Sequence, residues 1–154
     1  MKKLIVSLLF VTMFVSCQQQ NYDEQKQRCI NFIEKGEKFT QVAASARYNI
    51  WSEKLNPALN DEKKQKEMED VYAQNSQEAK HYLDSINTET KSLKDIDVDW
   101  YNDIIHLRAS LEEHYNLLNT ESTSLEHYWG KHKILQTEID NNIASFKQKY
   151  LKNL

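Results

Sequence analysis

Residues 125–150 read LEHYWGKHKILQTEIDNNIASFKQKY, and their apolar residues recur at intervals of three and four positions. That spacing places one face of an α-helix against a core, because an α-helix completes a turn every 3.6 residues. The stretch contains no proline that would break the helix. It therefore predicts one amphipathic helix whose inward residues are Leu125, Tyr128, His132, Leu135, Ile139, Ile143, Phe146 and Tyr150.

Three earlier stretches of the chain repeat this spacing. The first stripe comprises Cys29, Phe32, Gly36, Phe39, Ala43, Ala46 and Ile50, and it is widened by Ile30, Ile33 and Val42. The second comprises Met68, Tyr72, Asn75, Ala79, Tyr82, Ile86 and Leu93, and the third Trp100, Ile104, Leu107, Leu111, His114 and Leu118. The first helix should end before Pro57, since the residue preceding a proline avoids helical geometry. Residues that favour the N-cap position precede each later helix: Asn60 or Asp61, Asp97 or Asp99, and Thr120 or Ser122.

Four amphipathic helices joined by short loops predict an all-α fold, an antiparallel up-down-up-down four-helix bundle. A three-helix or swapped arrangement stays open at this point. Only 2 Gly and 1 Pro occur in 154 residues. This scarcity argues against β-sandwiches and barrels, which need many turns, and it excludes the glycine-rich loops that cradle phosphates.

The N-terminal residues have the pattern of a targeting segment. Lys2 and Lys3 precede a twelve-residue run, Leu4–Val15, which is too short to span a bilayer as a helix but matches the apolar region of a signal peptide. Ser16 and Cys17 follow, and then the polar stretch 18–21. Small residue, cysteine and polar linker resemble the lipobox of bacterial lipoproteins. The resemblance implies cleavage before Cys17 and attachment of the protein to a lipid bilayer through acyl chains on that cysteine.

This resemblance divides the chain into a signal peptide at 1–16, a lipidated tether at 17–27 and a helical bundle domain at 28–154. Cleavage would remove Lys2 and Lys3, which changes the formal net charge from −3 to −5. An acidic mature chain argues against a nucleic-acid partner. Acylation of Cys17 would leave Cys29 as the sole thiol, so no intramolecular disulfide is expected. Gln18 after the cysteine resembles outer-membrane sorting, with the periplasmic or surface face left open.

Candidate metal ligands are few. Glu78 and His81 form a single Glu-x-x-His, whereas a carboxylate-bridged metal pair needs two. If the last two helices form a hairpin about residue 120, His114 approaches His127, with Glu113 nearby. Two imidazoles and a carboxylate suit zinc or copper. We favour hydrogen-bonded histidines at the edge of the core over a metal site, and we expect no cofactor.

The hairpin between the first two helices is the expected contact surface for a partner. These helices are each about 34 residues long and the third about 22, so the first loop should project roughly 18 Å past the last one. Its apolar residues Trp51, Leu55 and Leu59 would then lie exposed, as residues at interfaces do before binding. The alternative is that the chain after Asn56 folds back and buries Trp51.

These features favour a lipid-anchored helical module that binds an envelope protein. The alternative is an envelope lipoprotein that binds a small ligand or a metal. We expect no enzyme, because the sequence has no G-x-S-x-G elbow, no H-E-x-x-H and no cysteine with a partner base.

Overall fold

The computed structural model describes residues 2–56, 61–94 and 98–151, with side chains from residue 21 onward. It contains α1 (Lys2–Leu55), α2 (Glu62–Lys91), α3 (Tyr101–Leu117) and α4 (Leu125–Tyr150). No strand occurs within these ranges. The predicted all-α four-helix arrangement is confirmed.

Helix α1 is the central element of the bundle. It contacts α2, α3 and α4, whereas α2 and α4 do not contact each other in the described part of the chain. Ion pairs at the two ends of the first hairpin, Arg28–Glu89 and Glu53–Lys64, show that α1 and α2 run antiparallel. Asp103–Lys149 shows the same for α3 and α4. Within the described residues, the edge helix α4 is positioned by α1, by α3 and, through the hydrogen bond from the Tyr150 hydroxyl to the Asp99 carbonyl, by the turn before α3.

The helix ends were partly predicted. α1 ends at Leu55, and the Asp61 side chain caps α2 by accepting hydrogen bonds from the backbone N–H groups of Lys63 and Lys64. The expectation for α4 was wrong, because its N-cap is Ser124, whose hydroxyl accepts from the His127 N–H. Asp99 does not cap α3, since Trp100 occupies the N-cap position without a side-chain hydrogen bond. Asn60 and Asp97 lie outside the described residues.

Beside the expected stripe, whose Cys29 and Ala43 are fully buried, a second row of α1 is buried. It comprises Ile30, Ile33, Glu37, Thr40 and Ala44. These residues lie three and four positions apart, one position beyond the predicted row of Phe32, Gly36, Phe39 and Ala43. The difference arises because α1 has three neighbours, so it buries more than one stripe. Gly36 permits a close approach, since a Cβ there would come within 2.9 Å of Leu111 Cδ2.

Two groups of apolar side chains form the core. The apolar core lies toward the N-terminal end of the bundle and includes Ile30, Ile33, Leu83, Ile86, Trp100, Ile104, Leu111, Ile139 and Phe146. The loop-end core lies beside the α3–α4 connection and comprises Ala43, Ala44, Leu117, Leu118, Tyr128 and Leu135. Tyr22 contacts the apolar core, and Gln25 donates to the Glu89 carbonyl and to Ser92. Helical packing thus begins before residue 28.

Candidate functional site

A chain of three buried polar side chains lies between the two cores. Glu37 on α1 contacts His114 on α3, with 2.8 Å between Oε2 and Nδ1. The other ring nitrogen of His114, Nε2, lies 2.7 Å from Nδ1 of His132 on α4. All three side chains are almost completely buried. Buried polar groups are costly unless they are hydrogen-bonded, and this network supplies those bonds across three helices.

The positions of these residues follow from helical spacing. His114 is three positions after Leu111 on the inward face of α3, and His132 is four positions after Tyr128 on α4. Glu37 occupies the buried row of α1, four positions after Ile33. Its second oxygen, Oε1, accepts a hydrogen bond of 3.0 Å from Gln41 Nε2, one turn further along the same helix. Both carboxylate oxygens are therefore hydrogen-bonded.

The network exists in two arrangements that differ by one proton. When the Glu37 carboxylate accepts from His114 Nδ1–H, the contact between the two rings contains a single N–H. Either a neutral His132 donates to a neutral His114, or a protonated His114 donates to a neutral His132. Burial, followed by the charge of His114 and then Lys133, lowers the pKa of His132 from 6.5 to about 4. His132 is therefore neutral at neutral pH when it is buried as in this structure.

Aromatic rings and a shallow groove flank this network. The ring of Trp129 lies 4.8 Å from that of His132, and Tyr48 on α1 lies 4.7 Å from Trp129, measured between centroids. On the other side, Glu37 and Asp140 line a groove between α1 and α4. Burial, and then the nearby Glu37 charge, raises the pKa of Asp140. Glu37 thus acts on His114 of α3 and on Asp140 of α4.

The three metal candidates from the sequence do not converge. His114 is buried against His132, whereas His127 is exposed. Glu113 faces Lys131 on α4 at 3.9 Å. Among the described residues no three His, Cys, Asp or Glu side chains are placed to hold one metal ion. Glu37, His114 and His132 instead form a line in which both nitrogens of the middle ring already have partners.

Arg47 joins the first hairpin to the end of α3. Its guanidinium donates to the carbonyl oxygens of Leu117 and Leu118 and, at 2.7 Å, to that of Thr120. These groups belong to the last turn of α3 and the loop after it, where carbonyls lack helical partners. The guanidinium also lies 5.0 Å from the centre of the Tyr128 ring. Arg47 therefore fixes the α3–α4 loop against α1.

The predicted contact residues differ in their surroundings. Leu55 is 64% exposed at the end of α1. Trp51 is half-buried, because its ring lies edge-on to that of Tyr128 at 6.2 Å, and it lines a groove with Arg47 and Ser122. Leu59 lies outside the described residues. Since Arg47 marks the level of the α3–α4 loop, the eight residues from it to Leu55 extend about 12 Å beyond that level.

The two cysteines have separate places on α1. Cys17 lies on the helix, but its side chain falls outside the described residues. Cys29 is buried in the apolar core, and burial raises the pKa of its thiol to about 12. Within the described residues, no helix carries an apolar segment long enough to cross a membrane.

Comparison of the chain with models of known families, with curated proteins and with solved structures found no match.

Sequence reasoning placed His114 and His132 on inward stripes but did not pair them, and it missed Glu37 and Arg47. The signal for Glu37 was present, because it continues the spacing of Ile30 and Ile33. A charged residue in that row indicates a buried polar network. No comparable pattern identifies Arg47, whose partners are backbone carbonyls.

Proposed function

We propose that this chain is a membrane-anchored lipoprotein whose helical bundle is a protein-interaction module of the bacterial cell envelope. The lipobox resemblance of residues 1–20 supports the anchor, with Cys17 as the acylated residue. The lipid bilayer is then one partner, and an envelope protein is the other. Gln18 favours the outer membrane as the location.

The observation that carries the interaction role is the exposed end of α1. Leu55 is exposed there, beside the half-buried ring of Trp51. A partly covered tryptophan next to an exposed leucine is the kind of apolar surface where binding energy concentrates. This surface lies 38 residues beyond Cys17 on the same helix, a separation of about 57 Å. It would therefore face away from the membrane to which Cys17 is attached.

The anchor is tested by replacing the acylated residue. Cells that produce the wild type or Cys17→Ser are grown with a labelled fatty acid and then fractionated. We expect label and membrane attachment for the wild type only, and an uncleaved precursor for the variant. Label retained by Cys17→Ser would contradict the proposal.

The contact surface is tested by photocrosslinking in the cell. A photoreactive amino acid replaces Leu55, and the matched control places it at Ile134, which is 68% exposed on α4. We expect a discrete adduct with one envelope protein from position 55 and none from position 134. Equal adducts from both positions, or none from position 55, would show that the hairpin end is not the contact surface.

A further inference from the structure

We propose that Glu37, His114 and His132 form a proton-operated latch, which holds α4 against α1 and α3 at neutral pH and releases it in mildly acidic medium. The proposal goes beyond the interaction role and does not depend on the lipid anchor. It rests on the position of the three side chains, one on each of the three helices that meet there.

The latch depends on a hydrogen bond that forms only when one of the two facing ring nitrogens carries a hydrogen and the other does not. The contact of 2.7 Å between His114 Nε2 and His132 Nδ1 needs a hydrogen on one nitrogen and a lone pair on the other. When both rings are imidazolium ions, both nitrogens carry hydrogens and the bond is lost. Two positive charges then lie within one buried contact. A separation of α4 from α3 relieves this repulsion.

The position of the second proton on the two rings decides which helix moves. A proton on His114 gives an imidazolium beside the Glu37 carboxylate, and it can still donate to His132. That state is a hydrogen-bonded ion pair between α1 and α3, so it keeps those helices together. The next proton must enter His132, which has no carboxylate within hydrogen-bonding distance among the described residues. Protonation of His132 therefore acts on α4.

The titratable groups around the network come from all four helices. Glu37 faces it from α1, and His114 belongs to α3. Lys133 and Asp140 act from α4, the former on His132 and the latter through Glu37 and His114. On α2, Gly36 lies against Ala79 and Tyr82, and the titratable side chains next to these residues are Glu78, which is partly buried, and Lys80 and His81, which are exposed. The positive charge of Lys133 adds to the repulsion that a protonated His132 experiences. The Glu37 carboxylate is hydrogen-bonded to His114 and not to His132.

The sign of the pH dependence follows from these surroundings. The pKa of His132 is about 4 in the closed bundle and about 6.5 when the ring is solvated, so the open form binds protons more readily. Lowering the pH through this range favours opening. Linkage shifts the equilibrium between the closed and the open form roughly 20-fold at pH 5 and on the order of 100-fold at pH 4, relative to neutral pH.

The fold allows α4 to leave without the other helices. α4 contacts α1 and α3 but not α2 in the part of the chain that the structure describes, whereas α1 and α2 share a long antiparallel interface. Besides the latch, α4 is tied to α1 by the Tyr128 hydroxyl, which donates to the Ala44 carbonyl, and by the Lys147–Glu34 pair. Opening would uncover apolar side chains of α4 such as Ile139 and Phe146.

Hydrogen exchange of the full chain tests the latch. Exchange is measured by mass spectrometry at pH 7 and pH 5, with correction for the intrinsic exchange rate at each pH. We expect residues 125–150 to lose protection at least tenfold at pH 5, while residues 62–91 keep theirs. Loss of protection in all helices together, or none in α4, would overturn the proposal.

A variant that cannot gain the second charge provides the decisive comparison. His132→Gln retains hydrogen-bonding groups but does not titrate, and we expect it to abolish the pH dependence of α4. His127→Gln is the matched control, because it removes an exposed histidine from the same helix. Unchanged pH dependence in His132→Gln would contradict the latch.

If His132→Gln does not fold at pH 7, NMR titration of the wild-type imidazoles gives the answer. The latch requires that protonation of His132 coincides with the loss of protection in α4. A His132 ring that titrates while α4 stays protected would overturn it.

Discussion

The apolar core and the loop-end core hold the same helices together by different means. The first contains large aliphatic and aromatic side chains from all four helices, such as Ile33, Trp100 and Ile139. The second has the small residues Ala43 and Ala44 on α1, and Arg47 beside it binds three backbone carbonyls. Burial of apolar surface is strong but not directional, whereas hydrogen bonds fix position. One end therefore supplies stability, and the other sets how α3, α4 and their loop are placed.

The largest effect is expected in the apolar core. Ile139→Ala removes atoms from a completely buried site and should lower the free energy of unfolding by about 2–5 kcal/mol. Chemical denaturation measures the loss as a lower midpoint at unchanged slope. Leu111→Ala, also completely buried, should behave alike. Leu135→Ala is the comparison from the loop-end core, where the side chain is 6% exposed. A larger loss for Leu135→Ala than for Ile139→Ala would reverse the comparison.

The second-largest loss of unfolding free energy is expected in the buried network of Glu37, His114 and His132, which lies between the two cores. Glu37→Ala leaves the Nδ1–H of His114 buried without its acceptor, which costs about 1–3 kcal/mol of unfolding free energy. Glu34→Ala is the control one turn away, since its pair with Lys147 is partly exposed and should contribute under about 1 kcal/mol. Urea titrations of the two variants measure the difference. Equal losses would mean that the buried carboxylate is not held by the network.

Substitution of Arg47 tests whether its hydrogen bonds to backbone carbonyls fix the position of the α3–α4 loop. Arg47→Met keeps much of the side-chain length but removes the donors to the end of α3, with an expected loss of about 1–2 kcal/mol. Arg28→Met is the control, because the Arg28–Glu89 pair is exposed on the Arg28 side. Hydrogen exchange should show faster opening of residues 114–124 for Arg47→Met only. Local exchange as slow as in the wild type would show that apolar contacts suffice to hold the loop.

The smallest effect is expected at the start of α2. Asp61→Ala removes the acceptor for two backbone N–H groups and should lower the unfolding free energy by about 1 kcal/mol. Asp61→Asn retains an acceptor oxygen and should cost less. Thermal melts of both variants measure the difference. If the two substitutions cost the same, the charge of Asp61 and not its hydrogen bonds stabilises the helix end.

The helices could be predicted because local chemistry determines them. Periodic apolar residues, Pro57 and the Asp61 cap all act within a few positions of the chain. Ser124 was missed in favour of Thr120 or Ser122, since several adjacent residues can serve as an N-cap and the choice depends on how the loop closes. The pairing of His114 with His132 rather than His127 has the same origin, because loop length alone does not fix the register between α3 and α4.

Glu37 shows where periodicity was misread. Its spacing from Ile33 is that of a core residue, but a charged side chain is normally assigned to solvent. Its burial is made tolerable by Gln41 on the same helix and by His114 on α3, which is 77 positions away in the sequence. Arg47 was missed for a related reason, because its partners are carbonyl oxygens that every residue possesses.

The continuity of α1 has a mechanical consequence. The part from Cys17 to Leu55 is helical throughout. A bundle anchored at Cys17 would therefore be joined to its anchor by a stiff helix rather than by a flexible linker. A flexible linker spreads its cargo over a large volume and dilutes it, whereas a stiff one confines it to a thin layer. The end of α1 at Leu55 would then stay at a nearly constant height above the bilayer. Partners at that height would meet it at a high effective concentration, and partners closer to the lipid would rarely meet it.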